Sequence, residues 1–118
     1  MESQNAIEGF SALAQLTRLE AFRLIIRHQP DGLPAGEVAR LLDVPQNTMS
    51  THLAILTRAG LISAERHGRS IIYRAEMDKV REITAFLVND CCGGRPEICE
   101  PLIAEITPCC APTDPNHV

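Results

Sequence analysis

Between Ala35 and Gly60 the chain carries two short helical patterns joined by the tight turn Asp43-Val44-Pro45-Gln46. In the first, from about Ala35 to Leu42, the apolar stripe is Val38, Leu41 and Leu42. In the second, from Pro45–Gln46 to Ala59, it is Met49, Leu53 and Leu56, at the spacing of one helix face. Gly60 is placed to stop the second helix. The pattern then changes. Leu61–Arg66 and Arg69–Ala75 are strand-like and rich in β-branched residues, with only His67–Gly68 between them. A two-residue loop ending in glycine predicts a β-hairpin, because glycine accepts a positive φ.

The flanks read as further helices. Ile7, Phe10, Leu13 and Ala14 keep helical spacing over residues 6–16. Thr17 with Glu20 has the form of a capping box, opening a helix that buries Leu19, Phe22, Ile25 and Ile26 and ends at Pro30-Asp31-Gly32. Asp78 opens another, carrying Val80, Ile83, Phe86 and Leu87 and stopped by Gly93, Gly94 and Pro96. A short helix over "EPLIAEI" is expected next, and "TPCCAPTDPNHV" reads as a loose tail. With 3 Phe, 1 Tyr and no Trp, the core must come from Leu, Ile, Val and Ala, which suits helices. The 118 residues fit one domain, residues 1–100, with a cysteine-containing tail over 101–118. The expected fold is mainly α with a β-hairpin wing, a winged helix–turn–helix.

The net charge of −4 argues at first against a nucleic-acid partner, but its distribution reverses the argument. Residues 1–75 hold 8 Arg/Lys against 7 Asp/Glu, and residues 76–118 hold 3 against 8. From Val44 to Arg74 there are 4 Arg and 1 acid, with His52 and His67 in addition. The outer face of the second helix carries Gln46, Asn47, Thr48, Ser50, Thr51 and His52. Small hydrogen-bonding side chains on a helix that fits the major groove can reach base edges and phosphates. Arg58, Arg66, Arg69 and Arg74 supply cations for the phosphate backbone. A solvated polar helix beside an ordinary charged hairpin has the same outline.

No apolar run approaches the roughly 18 residues of a membrane span. "MESQNAIEGF" lacks a basic segment followed by an apolar one, so a cytoplasmic protein without a secretory signal is expected. The 5 cysteines do not suggest a disulfide framework in that setting. Cys91–Cys92 and Cys109–Cys110 are adjacent pairs. Neighbouring Cα atoms lie about 3.8 Å apart, below the usual disulfide range of roughly 4.4–6.8 Å. Such pairs suit a soft ion held between two sulfurs.

"NAIEGFSALAQLTRLEAFRLI", "GEVARLLDVPQNTMSTHLAILTRAGLI" and "SAERHGRSIIYRA" resemble the ArsR/SmtB family of bacterial metal-responsive repressors over about residues 5–90. The run from Ser50 to Leu61 is the most specific part. The resemblance implies a homodimeric winged helix, with terminal helices in the dimer contact, that represses its own operon and leaves the operator when an inducer binds. It places Gln46 to His52 on the recognition helix and His67 to Arg69 at the wing tip. The stripes Ile7/Phe10/Ala14 and Val80/Ile83/Leu87 also exceed what one small core needs. Packed across a two-fold axis they predict an inverted-repeat operator.

Family members place their inducer sites differently. "PAGEVARLLD" lacks the cysteines of the arsenic-sensing pattern, and "MDKVREITAFLVND" lacks the His of the zinc-sensing pattern. "CCGGRPEIC", just after the last helix, is similar to a subgroup in which trivalent arsenic binds cysteines at this end. Arsenic(III) and antimony(III) are soft and take three thiolates in a pyramid. Cys91, Cys92 and Cys99 supply three, and Gly93–Gly94 lets the chain reverse. Zinc wants four ligands, with Glu97 or a tail residue as the fourth. A redox or persulfide switch needs only two thiols. Cys109 and Cys110 are relays, extra ligands or inert. A dithiol enzyme is disfavoured, because Asp90, Glu97 and Glu100 surround the thiols and no His, Lys or helix N-terminus stands beside them in sequence to lower their pKa. A protein-binding winged helix with structural zinc is the remaining alternative.

Overall fold

The computed structural model describes residues 1–88. In chain order they form α1 (Ser3–Leu13), α2 (Leu16–Arg27), β1 (Leu33–Pro34), α3 (Ala35–Leu42), α4 (Gln46–Arg58), β2 (Ile62–His67), β3 (Ser70–Ala75) and α5 (Met77–Val88). The chain forms two units, Met1–Thr84 and Ala85–Val118, and all the packing described below lies within the first. The short helix expected over "EPLIAEI", the tail and all five cysteines lie outside the described residues.

The turn of the helix–turn–helix is closed by backbone bonds. Asp43 takes the left-handed conformation at φ 55°, which lets Val44 N–H reach Ala39 O at 3.0 Å and Asp43 N–H reach Arg40 O at 3.2 Å. α4 ends in the same way. Gly60 sits at φ 82°, with Leu61 N–H on Leu56 O and Gly60 N–H on Thr57 O. This paired closure satisfies carbonyls that a helix end otherwise leaves orphaned.

The core joins every element of the unit. Ile25, Val38, Met49, Leu53, Leu56, Leu61 and Ile62 are the largest wholly buried side chains. Each contributes about 1.5–3 kcal/mol by leaving water. α5 meets α1 where Gly9 faces Ile83, and a Cβ at Gly9 would stand 2.6 Å from Ile83 Cδ1. A side chain at this position would require the end of Ile83 to move.

Several expectations need correction. The predicted stripe of α4 is fully buried, but α3 buries Val38 and Ala39 while Leu41 remains 44% exposed. α2 buries Ala21, Phe22, Leu24 and Ile25, leaving Leu19 exposed and Ile26 half-buried. In both helices an alanine, Ala21 or Ala39, occupies the inner face. The cap of α2 is Gln15, whose side chain accepts from Arg18 N–H at 2.8 Å, not Thr17. The Arg18 side chain also donates to Ala12 O at 2.6 Å and caps the end of α1. The two expected dimer stripes are split: Ile83 is buried and Phe10 and Val80 pack on the core, while Ile7, Ala14 and Leu87 are exposed.

β1 is a third strand that the sequence pattern did not announce. It pairs antiparallel with β3, which also pairs with β2, giving the order β1-β3-β2. His67 pairs with Ser70, so the hairpin loop is Gly68–Arg69 rather than His67–Gly68. Gly68, at φ 62°, supplies the positive φ at the first loop position instead of the second.

Candidate nucleic-acid interface

α4 has two chemically distinct sides. Met49, Leu53 and Leu56 are 0% exposed and fix the helix on the core. Gln46, Asn47, Thr48, Ser50 and Thr51 are all exposed and polar. The structure therefore brings these five predicted residues together on the outer surface of the first two turns. Asn47 Oδ1 accepts from Thr48 N–H at 3.0 Å, and Thr51 Oγ1 donates to Asn47 O at 3.3 Å. These are local bonds, and each side chain keeps further donor or acceptor capacity. The Gln46 amide reaches back over the start of α3, where a Cβ at Gly36 would lie 3.7 Å from its Nε2.

His52 differs from the other five. It is half-buried, and its Nδ1 is enclosed without a hydrogen-bond partner among the described residues. It stands at the edge of the polar row rather than within it. Arg58 is exposed in the last turn of α4. With Gln4, Ile7, Glu8 and Ile55 it lines a cleft of about 280 Å³ between α1 and α4.

The wing carries four basic side chains in two states. Arg66 and Arg69 are exposed, and among the described residues neither side chain makes an ion pair or a hydrogen bond. His67 Nε2 donates to Glu65 Oε1 at 2.6 Å. Arg74 donates through its guanidinium to the same oxygen at 2.6 Å, and through Nε to Pro30 O at 3.0 Å. The Arg74 bond, then the His67 bond, holds the Glu65 carboxyl below its ordinary value. Arg74, expected as a phosphate contact, is instead committed to the scaffold.

A second tie lies beside it. The Gln29 side chain accepts from Ala75 N–H at 2.9 Å and donates to Ala75 O at 3.3 Å. Gly32 closes the loop at φ 77°, where an added Cβ would stand 2.4 Å from the Tyr73 carbonyl oxygen and 2.8 Å from Arg74 Cγ. Gln29 and Glu65 were missed as positioning residues. Their partners are 46 and 9 residues away in sequence, and no local pattern marks them.

The predicted metalloid ligands Cys91, Cys92 and Cys99 lie outside the described residues. No group of three His, Cys, Asp or Glu side chains suited to a metal ion occurs among the described residues, and no described helix is long and apolar enough to cross a membrane.

Known proteins agree with this geometry. A helix-turn-helix domain family matches residues 13–63. The uncharacterized HTH-type transcriptional regulator YbzH of Bacillus subtilis is 30% identical over 98 residues, 71% of this chain and 96% of that protein. An ArsR-like transcriptional regulator from Rhodococcus sp. RHA1 shares the fold at a TM-score of 0.66 and 24% identity, over 90% of this chain and 92% of that one. The homodimeric winged helix-turn-helix DNA-binding domain of Mb0332 from Mycobacterium bovis does so at 0.61 and 24% identity, over 72% and 77%.

Proposed function

Because the chain belongs to the ArsR/SmtB family of winged-helix transcriptional regulators, we propose that it is a homodimeric, metal-responsive repressor induced by trivalent arsenic or antimony. It is a regulator, not an enzyme. Gln46, Asn47, Thr48, Ser50, Thr51 and His52 meet the major groove of an inverted-repeat operator, and Arg58, His67 and Arg69 meet phosphates. The observation that carries this reading is the exposed polar row on a helix whose opposite stripe is wholly buried. A recognition surface needs that combination, because base readout depends on side chains held at a fixed height above the scaffold.

Cys91, Cys92 and Cys99 take the metalloid. The support is chemical: three thiolates match the charge and the three-donor preference of a soft trivalent ion. Cys91 follows Val88, the end of α5, after two residues. α5 packs on α1 through Ile83 and Gly9. Capture of the ion releases DNA only if the loaded dimer binds operator more weakly than the free dimer.

The test is fluorescence anisotropy of the reduced full chain on an inverted repeat from its own promoter, titrated with arsenite and separately with zinc. Arsenite is expected to release the DNA, and Cys91→Ser, Cys92→Ser and Cys99→Ser are each expected to abolish that response. Binding that ignores arsenite but yields to zinc or an oxidant would overturn the metalloid assignment and leave a repressor sensing another metal or the thiol redox state.

A further inference from the structure

Strand alternation puts Ser63, Glu65 and His67 on one face of the wing, with their partners Arg74, Ile72 and Ser70 on the same face. Glu65 pairs with Ile72, so Arg74 is its diagonal neighbour, within reach of a long side chain. Glu65 is the one acid between Val44 and Arg74, and it stands at the centre of the basic segment. A single oxygen of it accepts from both His67 and Arg74. Arg66 alternates to the other face and Arg69 sits in the loop, both without such a partner among the described residues.

We propose that Glu65 sets the strength of DNA binding: on the wing its carboxylate competes with phosphate for His67 and Arg74, while Arg66 and Arg69 are free to meet phosphate without such a competitor. The inference rests on the DNA-binding reading above. A phosphate that approaches His67 or Arg74 must displace a carboxylate already bonded to both, and it also meets the fixed negative charge of that carboxylate. The lowered titration of Glu65 means that this charge persists at neutral pH. Phosphate contacts carry no sequence information. Glu65 therefore restrains operator and non-specific affinity together, which keeps a repressor releasable by a modest change in its dimer.

Each cation recruited to phosphate adds about 0.9 to the slope of log affinity against log salt. Glu65→Gln is expected to raise affinity for operator and for an unrelated duplex alike, by roughly three- to tenfold, and to steepen the slope by about 1, the contribution of the released Arg74. Arg66→Ala and Arg69→Ala are each expected to flatten it by about 0.9. Glu20→Gln on α2 removes the same charge away from the wing and is expected to change neither quantity. Circular dichroism and melting establish that each variant is folded.

Unchanged or weakened binding by folded Glu65→Gln overturns the inference. So does an equal gain from Glu20→Gln, which would reduce the effect to overall charge. Wild-type protein that binds no duplex at all overturns the functional reading and this inference with it. Wild-type binding with an unresponsive Glu65→Gln overturns this inference alone.

Discussion

α4 and the β2–β3 wing both carry residues assigned to DNA, yet they are positioned by opposite means. Three wholly buried side chains hold α4, and the hydrogen bonds of Asn47 and Thr51 stay local to the helix itself. The wing is buried only at its base, through Ile62 and Ala75, and is exposed along its outer β2 half. It is held instead by polar ties: Gln29 on Ala75, Arg74 on Pro30 and Glu65, and Glu65 on His67. Apolar burial is non-directional and cooperative with the whole core, whereas surface ion pairs are weak and screened by salt. In the proposed DNA complex the helix is therefore the rigid element and the wing the adjustable one.

The sharpest way to break the contrast is Leu53→Ala. It should cost about 2–5 kcal/mol of stability in chemical denaturation, and operator binding should fall with it. A loss below about 1 kcal/mol would mean that α4 is not anchored through this stripe. Gly32→Ala, at a positive φ and against the Tyr73 carbonyl, should destabilise by about 1–3 kcal/mol. Hydrogen exchange should show the extra opening concentrated in β1 and β3.

Asn47→Ala should leave the melting temperature within a degree or so while weakening operator binding by about 1–3 kcal/mol, if Asn47 reads a base. A melting shift would instead assign it to the scaffold. Gln29→Ala strips partners from the Ala75 backbone and should cost about 1–2 kcal/mol. Arg74→Ala should cost less, about 0–1 kcal/mol, since its partner Glu65 is exposed.

The smallest effect is that of pH. The folded Glu65 carboxyl titrates below its ordinary 4.5, through Arg74 first and His67 second. Its contribution is therefore complete above pH 4.5 and is lost as pH falls through the lowered folded value. Glu37, bonded to Arg40, follows the same sign. Denaturant midpoints at low salt should decline over that acid window, and less so in Glu65→Gln.

α4 was legible in sequence because its three anchors, its polar row and Gly60 all lie within fifteen residues and follow one period. α3 was legible as a helix but not as to its buried face, because Ala39 hides a contact surface that hydrophobicity alone assigns to Leu41. The loop register slipped by one residue, since glycine serves either the first or the second hairpin position and only the pairing of His67 with Ser70 decides between them.

The sequence by itself determined the order of helices and hairpin, the basic middle against the acidic end, and the chemistry of the polar row. These follow from local periodicity, turn residues and charge, none of which needs a distant partner. Only the tertiary structure decided that β1 pairs with β3, that Gly9 seats Ile83, that Arg74 serves the scaffold, and that Glu65 engages Arg74. Each of these is a meeting of separate chain segments or of side chains across strands. A one-dimensional pattern carries no distances, so it cannot tell which cations are already engaged and which are left for DNA.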